Sequence, residues 1–443
     1  MKKYRPRIAD KILQRKIASK GAVLIEGAKW CGKTTTACQI AKSVLYMQDP
    51  TQKQQNLELA EINPARLLQG KTPRLIDEWQ LAPKLWDAIR FEIDQRDEFS
   101  QFILTGSAVP ADMSEISHTG TGRISHMLMR PMSLLESEES TGSVSLKELF
   151  DGHTDINGNN NLDIDLLSFI ICRGGWPKSI DASHEVALQQ AIDYFDAIVN
   201  MDISRVDNVQ RDAEKSKRLL RSYARAIGTQ TKIPSITQDV LANELEENEN
   251  ISGKSVTINA YVNALKKIFV IEDTPAWNPN LRSKTAIRSS DTRYFTDPSI
   301  GTTALGLGPQ DLINDLNTMG LLFENLCIRD LRIYAEALDG NVYHYRDKNG
   351  LECDAVIHLR NGSYGLIEIK LGGDSRIAEG VETLNKLASN IDTSTITASA
   401  PDTSALQSAA DALRASASSA ESTADAQEEA VNSSVEQMKQ QLQ

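Results

Sequence analysis

The strongest constraint on the fold is the segment Gly27–Thr34, which reads Gly-Ala-Lys-Trp-Cys-Gly-Lys-Thr and fits G-x-x-x-x-G-K-[ST]. The apolar run Ala22–Ile25 before it predicts a buried strand, and Thr35–Val44 after it predicts a helix. The pattern therefore lies at a strand-to-helix turn, where backbone N–H groups can surround an anion. An ordinary glycine turn could match by chance, but the flanking elements favour an α/β domain built around a phosphate site.

The loop supplies the groups that ATP and Mg²⁺ need. Gly27 and Gly32 permit special backbone angles and close approach, Lys33 would reach the β- and γ-phosphates, and Thr34 would hold Mg²⁺. The predicted nucleotide-binding residues are Gly27, Ala28, Lys29, Trp30, Cys31, Gly32, Lys33, Thr34 and Thr35.

Two acids follow a later strand. Pro73–Glu78 predicts a strand that ends at Asp77 and Glu78. Beside a phosphate loop, Asp77 would serve Mg²⁺ directly or through water, and Glu78 would act on the attacking water as a base or orienting group. A solvated acidic turn would be the favoured interpretation of the pair alone. Its position downstream of the loop favours hydrolysis instead.

Two further polar features could sense or stabilise charge on the phosphates. Gln101–Ser107 predicts a strand that ends near Thr105 and Ser107, and either hydroxyl could contact the γ-phosphate. Alternatively, the strand only runs into a glycine turn, and neither hydroxyl has a function. Gly120–Arg123 is polar, and Arg123 could be a finger for the transition-state charge, within the chain or in a neighbouring subunit of a homo-oligomer. The alternatives for Arg123 are a surface arginine and a structural ion pair.

Composition limits the class of protein. The net charge of −12 argues against a protein whose whole surface is basic, although local basic patches could still bind DNA. The five cysteines are scattered, without a C-x-x-C pair, which favours a reducing cytoplasm over a disulfide framework or a zinc site. No run reaches the roughly 18 apolar residues of a membrane span, and the N-terminal segment lacks the apolar region of a signal peptide.

The middle of the chain has the organisation of a winged helix between Ala213 and Pro275, with two helical periodicities followed by Phe269–Glu272 as a strand. Such modules often enter DNA grooves. The predicted reading helix, however, offers only Lys254, Lys266 and Lys267. The acids that precede it are Glu244, Glu246, Glu247 and Glu249. Packing or contact with a protein partner is therefore an equal alternative to DNA binding.

The last globular region carries a second constellation. A helix at Leu321–Leu326 is followed by three predicted strands at Asn341–Tyr345, Leu351–Leu359 and Ser363–Lys370. The polar residues along these elements are Glu324, Asp354, Glu368 and Lys370. Glu368 and Lys370 are two apart, so in a strand both point to one face.

This constellation resembles the PD-(D/E)XK nuclease superfamily, in which an acid on the first helix, an Asp on one strand and Glu-x-Lys on the next converge. The resemblance implies that Asp354 and Glu368 bind Mg²⁺, and that Glu324 and Lys370 complete the catalytic group, with lysine acting on the water. Many folds of this type are degenerate, so a catalytically inactive domain is the alternative.

The chain also resembles bacterial and archaeal AAA-type ATP-binding proteins that join an N-terminal ATPase to a C-terminal domain of uncharacterised function. The resemblance implies ATP binding and hydrolysis, but no settled biological role. Besides the phosphate loop, it rests on Arg7–Asp10, Leu75–Glu78, Ile103–Ser107, Gly122–Ile124, Arg173–Pro177, Asp202 and Tyr294–Pro298.

The sequence therefore predicts an α/β chain of four parts. These are an AAA-like P-loop NTPase domain with a parallel sheet (1–140), a helical winged-helix connector (165–285), a restriction-endonuclease-like α/β domain (290–392) and an Ala/Ser/Gln-rich low-complexity tail (393–443). Two functions compete. ATP turnover could drive Mg²⁺-dependent cutting or remodelling of DNA, or ATP could switch a protein-interaction module whose nuclease-like domain is inactive.

Overall fold

The computed structural model describes residues 4–107, 119–153, 156, 158, 160–242, 251–279, 289–347 and 350–398. Contacts divide the chain into two units, one of residues 1–278 with 283–387 and a second of residues 279–282 with 388–443. The phosphate loop, the connector and most of the region predicted as nuclease-like belong to the first unit. Nearly all of the predicted tail, residues 399–443, lies outside the described residues.

The N-terminal part is a five-stranded parallel sheet in the order β2-β3-β4-β1-β5. Alternate residues of β1 belong to two different cores, Ala22 and Leu24 to one and Val23 and Ile25 to the other, so helices cover both faces of the sheet. The elements are α1 Ile8–Ile17, β1 Ala22–Glu26, α2 Lys33–Cys38, β2 Ser43–Tyr46, α3 Lys53–Ile62, β3 Arg74–Asp77, α4 Leu85–Arg96, β4 Phe102–Thr105 and β5 Ile124–Leu128.

Two details of this sheet differ from the sequence prediction. The helix after the loop ends at Cys38 rather than Val44, because the chain from Ser43 onward pairs with β3. The sequence pattern predicts no strand at Ile124–Leu128, directly after the polar segment Gly120–Arg123, yet β5 forms there and pairs with β1 from Ala22↔Ile124 to Glu26↔Leu128. The register also places Asp77 beside Thr105, so the carboxyl ends of the strands meet at the edge where the phosphate loop lies.

The connector is helical. Its elements are α5 Leu146–Phe150, α6 Ile164–Arg173, α7 His184–Ala197, a π-helix Ile198–Asp202, α8 Ile203–Arg205, α9 Ala213–Arg225, α10 Ile233–Leu241 and α11 Ile251–Lys267. The strand expected at Phe269–Glu272 is not formed: Phe269 has a φ of +59°, and in this stretch only Ile271 makes an isolated bridge, to Phe295. The region thus has the helices of the winged-helix prediction. After them, residues 270–274 pair with residues 292–296 through isolated antiparallel bridges instead of regular strands, so the winged helix stays a prediction.

The C-terminal region is a small antiparallel sheet, β6-β7-β8, packed against a long helix. The three predicted strands are present, the last one shorter than expected. The elements are α12 Pro298–Leu305, α13 Pro309–Asn314, α14 Leu316–Ala337, β6 Gly340–Arg346, β7 Glu352–Leu359, β8 Tyr364–Ile367 and α15 Asp374–Ala398.

A buried polar network joins the connector to this region. Asp297 Oδ2 accepts hydrogen bonds from the Gly175 backbone N–H at 2.9 Å and from Arg329 Nη1 at 2.8 Å. Trp176 Nε1 donates to Ser299 Oγ at 3.0 Å. Asp297 and Arg329 are almost fully buried, so each charge depends on the other. The segments Arg173–Pro177 and Tyr294–Pro298 are therefore structural partners.

Candidate functional site

The glycines of the phosphate loop are required by its geometry. Gly27 has a φ of +142°, and a Cβ atom there would lie 2.0 Å from the Met129 carbonyl oxygen, which follows β5. Gly32 has a φ of +103° and immediately precedes α2. Both angles are ones that residues with a side chain rarely adopt. The loop therefore has the backbone conformation that the sequence pattern predicted.

Lys33 lies inside the loop. Its Nζ donates to the carbonyl oxygens of Gly27 and Ala28, at 2.8 Å in each case. The residue is only 6% exposed, so its ammonium charge is held within the loop by neutral acceptors. A buried cation without an anionic partner attracts a negatively charged ligand such as phosphate.

Asp77, at the end of β3, accepts hydrogen bonds from three neutral side chains. Its Oδ1 accepts from Thr34 Oγ1 at 2.6 Å and from Thr105 Oγ1 at 2.5 Å, and its Oδ2 accepts from Gln48 Nε2 at 2.6 Å. Hydroxyl and carboxylate oxygens are the ligands that Mg²⁺ prefers, and one carboxylate beside substrate phosphates is a usual arrangement. Thr34 and Asp77 therefore fit a Mg²⁺ site, and Thr105 is brought to the same group.

Glu78 directly follows Asp77 and takes a left-handed backbone conformation, with φ of +56° and ψ of +47°. Its carboxylate accepts hydrogen bonds from Gln80 Nε2 and, at 3.4 Å, from Ser107 Oγ. Left-handed conformations are uncommon for residues other than glycine and concentrate at functional sites. The turn directs Glu78 toward the end of β4 rather than into the sheet core.

Arg123 is not part of this group. It precedes β5, and its carbonyl oxygen accepts from the Ala22 backbone N–H, so it lies at the opposite, amino-terminal edge of the sheet. Its guanidinium donates to Asp94 at 2.8 Å through Nε. Within one chain, the length of the strands separates it from the phosphate loop. Arg123 could therefore act as an arginine finger only at the phosphate site of a neighbouring subunit.

Sequence reasoning missed residues that support the site. Arg7 is buried and donates to the Cys31 carbonyl at 2.8 Å and to the Arg130 carbonyl at 2.9 Å, which ties the loop to the chain after β5. Gln48 contacts Asp77 but was not singled out. Its position shortly after β2 could have revealed it, because the carboxyl ends of parallel strands converge.

The loop also contacts the connector. Lys29 Nζ pairs with Asp202 Oδ1 at 2.5 Å. The ring of Trp30, whose φ is +66°, lies 5.6 Å from that of Tyr194 on α7. Ala28 is fully buried in the apolar core formed by the connector helices. Of the four residues that the loop pattern leaves free, Ala28, Lys29 and Trp30 thus face the connector, whereas the Cys31 thiol donates to the Met129 carbonyl.

The C-terminal constellation converges as well. Lys370 Nζ lies 2.6 Å from Glu368 Oε1 and 3.4 Å from Asp354 Oδ2. The Ile369 backbone N–H donates to the same Asp354 oxygen at 2.7 Å. Glu324, on α14, accepts a hydrogen bond from the Tyr294 hydroxyl at 2.5 Å. The single lysine therefore stands between two carboxylates, with the third carboxyl group on the adjacent helix.

The charge state of this cluster follows from its burial. Burial, reinforced by the charge of Asp354, raises the pKa of Glu324 from its ordinary 4.5 to about 8, so this carboxyl is largely protonated at pH 7. Burial also raises the pKa of Glu368, and Lys370 opposes that shift. In the described part of the chain, no three His, Cys, Asp or Glu side chains are grouped to hold a metal ion. The cation that balances Asp354 and Glu368 is thus Lys370.

Three domain families match separate parts of the sequence. Residues 19–138 match an AAA domain. Residues 164–311 and 319–411 match two domains of unknown function, DUF8612 and DUF4143. No curated protein matches the sequence. The matches support the N-terminal ATPase prediction, whereas the likeness of the C-terminal region to nucleases stays a prediction.

Two solved structures are similar to the chain at low identity. A Walker-type ATPase of Pyrococcus abyssi is 13% identical over 67% of this chain and 94% of its own, with a TM-score of 0.40. A variant of RuvB from Thermotoga maritima is 15% identical over 61% of this chain and 93% of its own, with a TM-score of 0.24. The fold assignment rests instead on the parallel sheet, the phosphate loop and the AAA-domain match. Residues 19–138 form an α/β P-loop NTPase domain.

No helix in the described ranges combines the length and the apolar character that crossing a bilayer requires.

Proposed function

We propose that the chain binds ATP with Mg²⁺ at the phosphate loop and hydrolyses it. The observation that carries the proposal is the group formed by Lys33, Thr34, Asp77 and Thr105, in which the lysine and the aspartate are both buried and each is bonded only to neutral partners. A triphosphate with its divalent cation supplies the opposite charge to both residues at once.

The residues have separate roles in this proposal. The loop amides and Lys33 hold the β- and γ-phosphates, while Thr34 and Asp77 hold Mg²⁺, which neutralises charge that develops on the phosphates. Glu78 orients the attacking water and accepts its proton, and Thr105 senses the γ-phosphate from the end of β4. Arg123 would contribute only from a neighbouring subunit, in a homo-oligomer.

Isothermal titration of Mg²⁺-ATP into the full chain tests the proposal. Lys33→Ala should abolish measurable binding, because it removes the cation facing the phosphates. Lys42→Ala is the matched control, since it deletes an exposed lysine beyond α2 and should bind as the parent does. If Lys33→Ala binds and hydrolyses ATP like the parent protein, the phosphate loop is not the nucleotide site.

The C-terminal region allows a second candidate function, cleavage of DNA. The convergence of Glu324, Asp354, Glu368 and Lys370 favours it. In this proposal the connector would contact DNA or a protein partner. The competing function is an ATP-switched interaction module in the cytoplasm. Its support is the cluster's internal charge balance, and the pairing of Lys266 with Asp273 at 2.7 Å, which uses one of the three lysines expected to meet DNA.

A nuclease assay separates these two functions. The parent protein and Glu368→Gln are incubated with linear and supercoiled DNA, with Mg²⁺ or Mn²⁺, and with or without ATP. Cleavage by the parent that Glu368→Gln loses would establish the nuclease. Equal absence of cleavage by both proteins in every condition, with ATP hydrolysis intact, would leave the interaction module.

A further inference from the structure

The phosphate loop contains a second lysine whose partner comes from outside the N-terminal domain. Lys29 Nζ pairs with Asp202 at 2.5 Å, and the side chain of Lys29 is 43% exposed whereas that of Asp202 is 7% exposed. Lys29 is thus the accessible member of the pair. Asp202 is the buried member, and Lys29 Nζ is its hydrogen-bond donor.

The backbone of Lys29 belongs to the phosphate loop itself. It follows Ala28, whose carbonyl oxygen accepts from Lys33 Nζ at 2.8 Å, so its backbone adjoins the point where the catalytic lysine lies. The long flexible stem of lysine lets the ammonium swing between nearby anions. A triphosphate in the loop would be a more highly charged anion than the single carboxylate of Asp202.

We propose that Lys29 is a second phosphate-binding cation and that Asp202 competes for it with the terminal phosphate of a bound nucleoside triphosphate. This inference rests on the proposed ATP site. Asp202 therefore makes the affinity for triphosphate depend on the connector, and the effect is smaller for a diphosphate, which lacks the γ-phosphate charge.

The competition for Lys29 would change the structure of the connector around Asp202. When the phosphate draws Lys29 away, Asp202 becomes a buried carboxylate without its cation, which is strongly unfavourable. Asp202 ends a π-helix, Ile198–Asp202, a rare element that often occurs at functional sites. Opening of residues 198–205 toward solvent would rehydrate this carboxylate and relieve the unpaired charge. The aromatic contacts of Trp30 with Tyr194, and of Tyr194 with Trp176, extend from the same loop into the connector.

Titration of Mg²⁺-ATP and Mg²⁺-ADP into the full chain tests the competition. Asp202→Asn should bind ATP about 5- to 150-fold more tightly than the parent, the usual range for coupled sites, with a smaller gain for ADP. Lys29→Gln should weaken ATP binding. In the double variant, Asp202→Asn should add nothing, because there is no lysine left to compete for. Asp202→Glu keeps the carboxylate and should bind ATP and ADP with the affinities of the parent.

The matched control is Asp207→Asn, which breaks another connector ion pair, Asp207–Arg211 at 2.6 Å, that does not reach the loop. It should leave both affinities unchanged. The inference is overturned if Asp202→Asn binds ATP no better than the parent, or if its gain persists when Lys29 is Gln. If the parent binds ATP and Lys33→Ala does not, either result leaves the proposed ATP site intact.

Amide hydrogen exchange supplies a readout that does not depend on turnover and needs no variant of Asp202. ATP should accelerate exchange in residues 198–205 of the parent protein and leave the same segment unchanged in Lys29→Gln. Protection of that segment by ATP, or equal acceleration in Lys29→Gln, would contradict the competition.

Discussion

The phosphate loop and the C-terminal cluster each combine a lysine with carboxylates beside a sheet, yet they balance charge in different ways. In the loop, Lys33 is bonded to backbone carbonyls and Asp77 to hydroxyl and amide donors, so both charges are available to a ligand. In the cluster, Lys370 is bonded to the carboxylates of Glu368 and Asp354. The same residue types thus make one site that favours an added anion and cation, and another whose carboxylates already share a cationic partner.

The difference teaches that a matching residue pattern is not sufficient evidence for a metal site. The positions of Asp354, Glu368 and Lys370 agree with the nuclease-like pattern, but the lysine occupies the place between the carboxylates where a divalent cation would lie. Metal binding there requires that Lys370 move, whereas metal binding at Asp77 requires only that hydroxyl partners exchange.

The largest expected effect concerns the water-activating acid. Glu78→Gln should lower ATP turnover by about 10²- to 10⁴-fold while ATP affinity is kept, since the change removes a proton acceptor but neither Lys33 nor Thr34. Glu368→Gln is the same chemical change in the other site and should leave turnover unaltered. Steady-state hydrolysis and titration of ATP measure both variants. Equal losses in the two variants would break the distinction between the sites.

A smaller effect is expected from removal of the balancing cation. Lys370→Ala should destabilise the protein by about 1–2 kcal/mol, between the values for exposed and buried ion pairs, because it leaves Asp354 and Glu368 facing each other. Lys386→Ala breaks an exposed pair with Glu382 on α15 and should leave stability nearly unchanged. Urea unfolding in EDTA gives both numbers.

The same Lys370→Ala variant tests whether a metal ion can take the place of the lysine ammonium between Asp354 and Glu368. Mn²⁺ at millimolar concentration should recover part of the lost stability of Lys370→Ala and should change the parent protein less. Stronger Mn²⁺ stabilisation of the parent than of the variant would show that the cluster binds metal with its lysine in place. The two sites would then be more alike than their hydrogen bonds indicate.

An effect on stability of comparable size is expected as a pH dependence from Glu324. Its pKa is raised from 4.5 to about 8, so the folded protein binds a proton that the unfolded chain releases between these values. This contribution to stability is fully present below about pH 4.5 and is lost as pH rises to about 8. Glu324→Gln should therefore gain stability relative to the parent, by about 1–3 kcal/mol, between pH 6 and pH 8. Urea unfolding at both pH values measures the difference, and a constant difference would contradict the raised pKa.

The sequence was sufficient for the parts of the fold that depend on local pattern. The loop is defined by glycines whose backbone angles other residues rarely adopt, and β1, β3 and β4 are short apolar runs of the length typical of buried strands. The acids after β3 could be assigned because parallel strands end at a common edge.

The rest depended on contacts between distant segments. β5 was missed because it is an edge strand, with polar His126 exposed among its apolar residues. Arg123 lies at the amino-terminal edge of the sheet because it directly precedes β5. The composition of Gly120–Arg123 does not reveal that a strand begins there. The pairing of Lys29 with Asp202 joins residues 173 positions apart, and no local periodicity encodes such a contact.

The position of β5 has a consequence for how the protein is made. Gly27 packs against the Met129 carbonyl, the Cys31 thiol donates to the same oxygen at 3.3 Å, and β1 pairs with β5 along its length. About a hundred residues must therefore leave the ribosome between the synthesis of the loop and the arrival of the strand that supports it. At typical elongation rates this interval lasts on the order of 5–20 s. During that time, the backbone edge of β1 that will pair with β5 lacks its hydrogen-bonding partner, so the nascent chain is most exposed to misfolding and to chaperone capture in this interval.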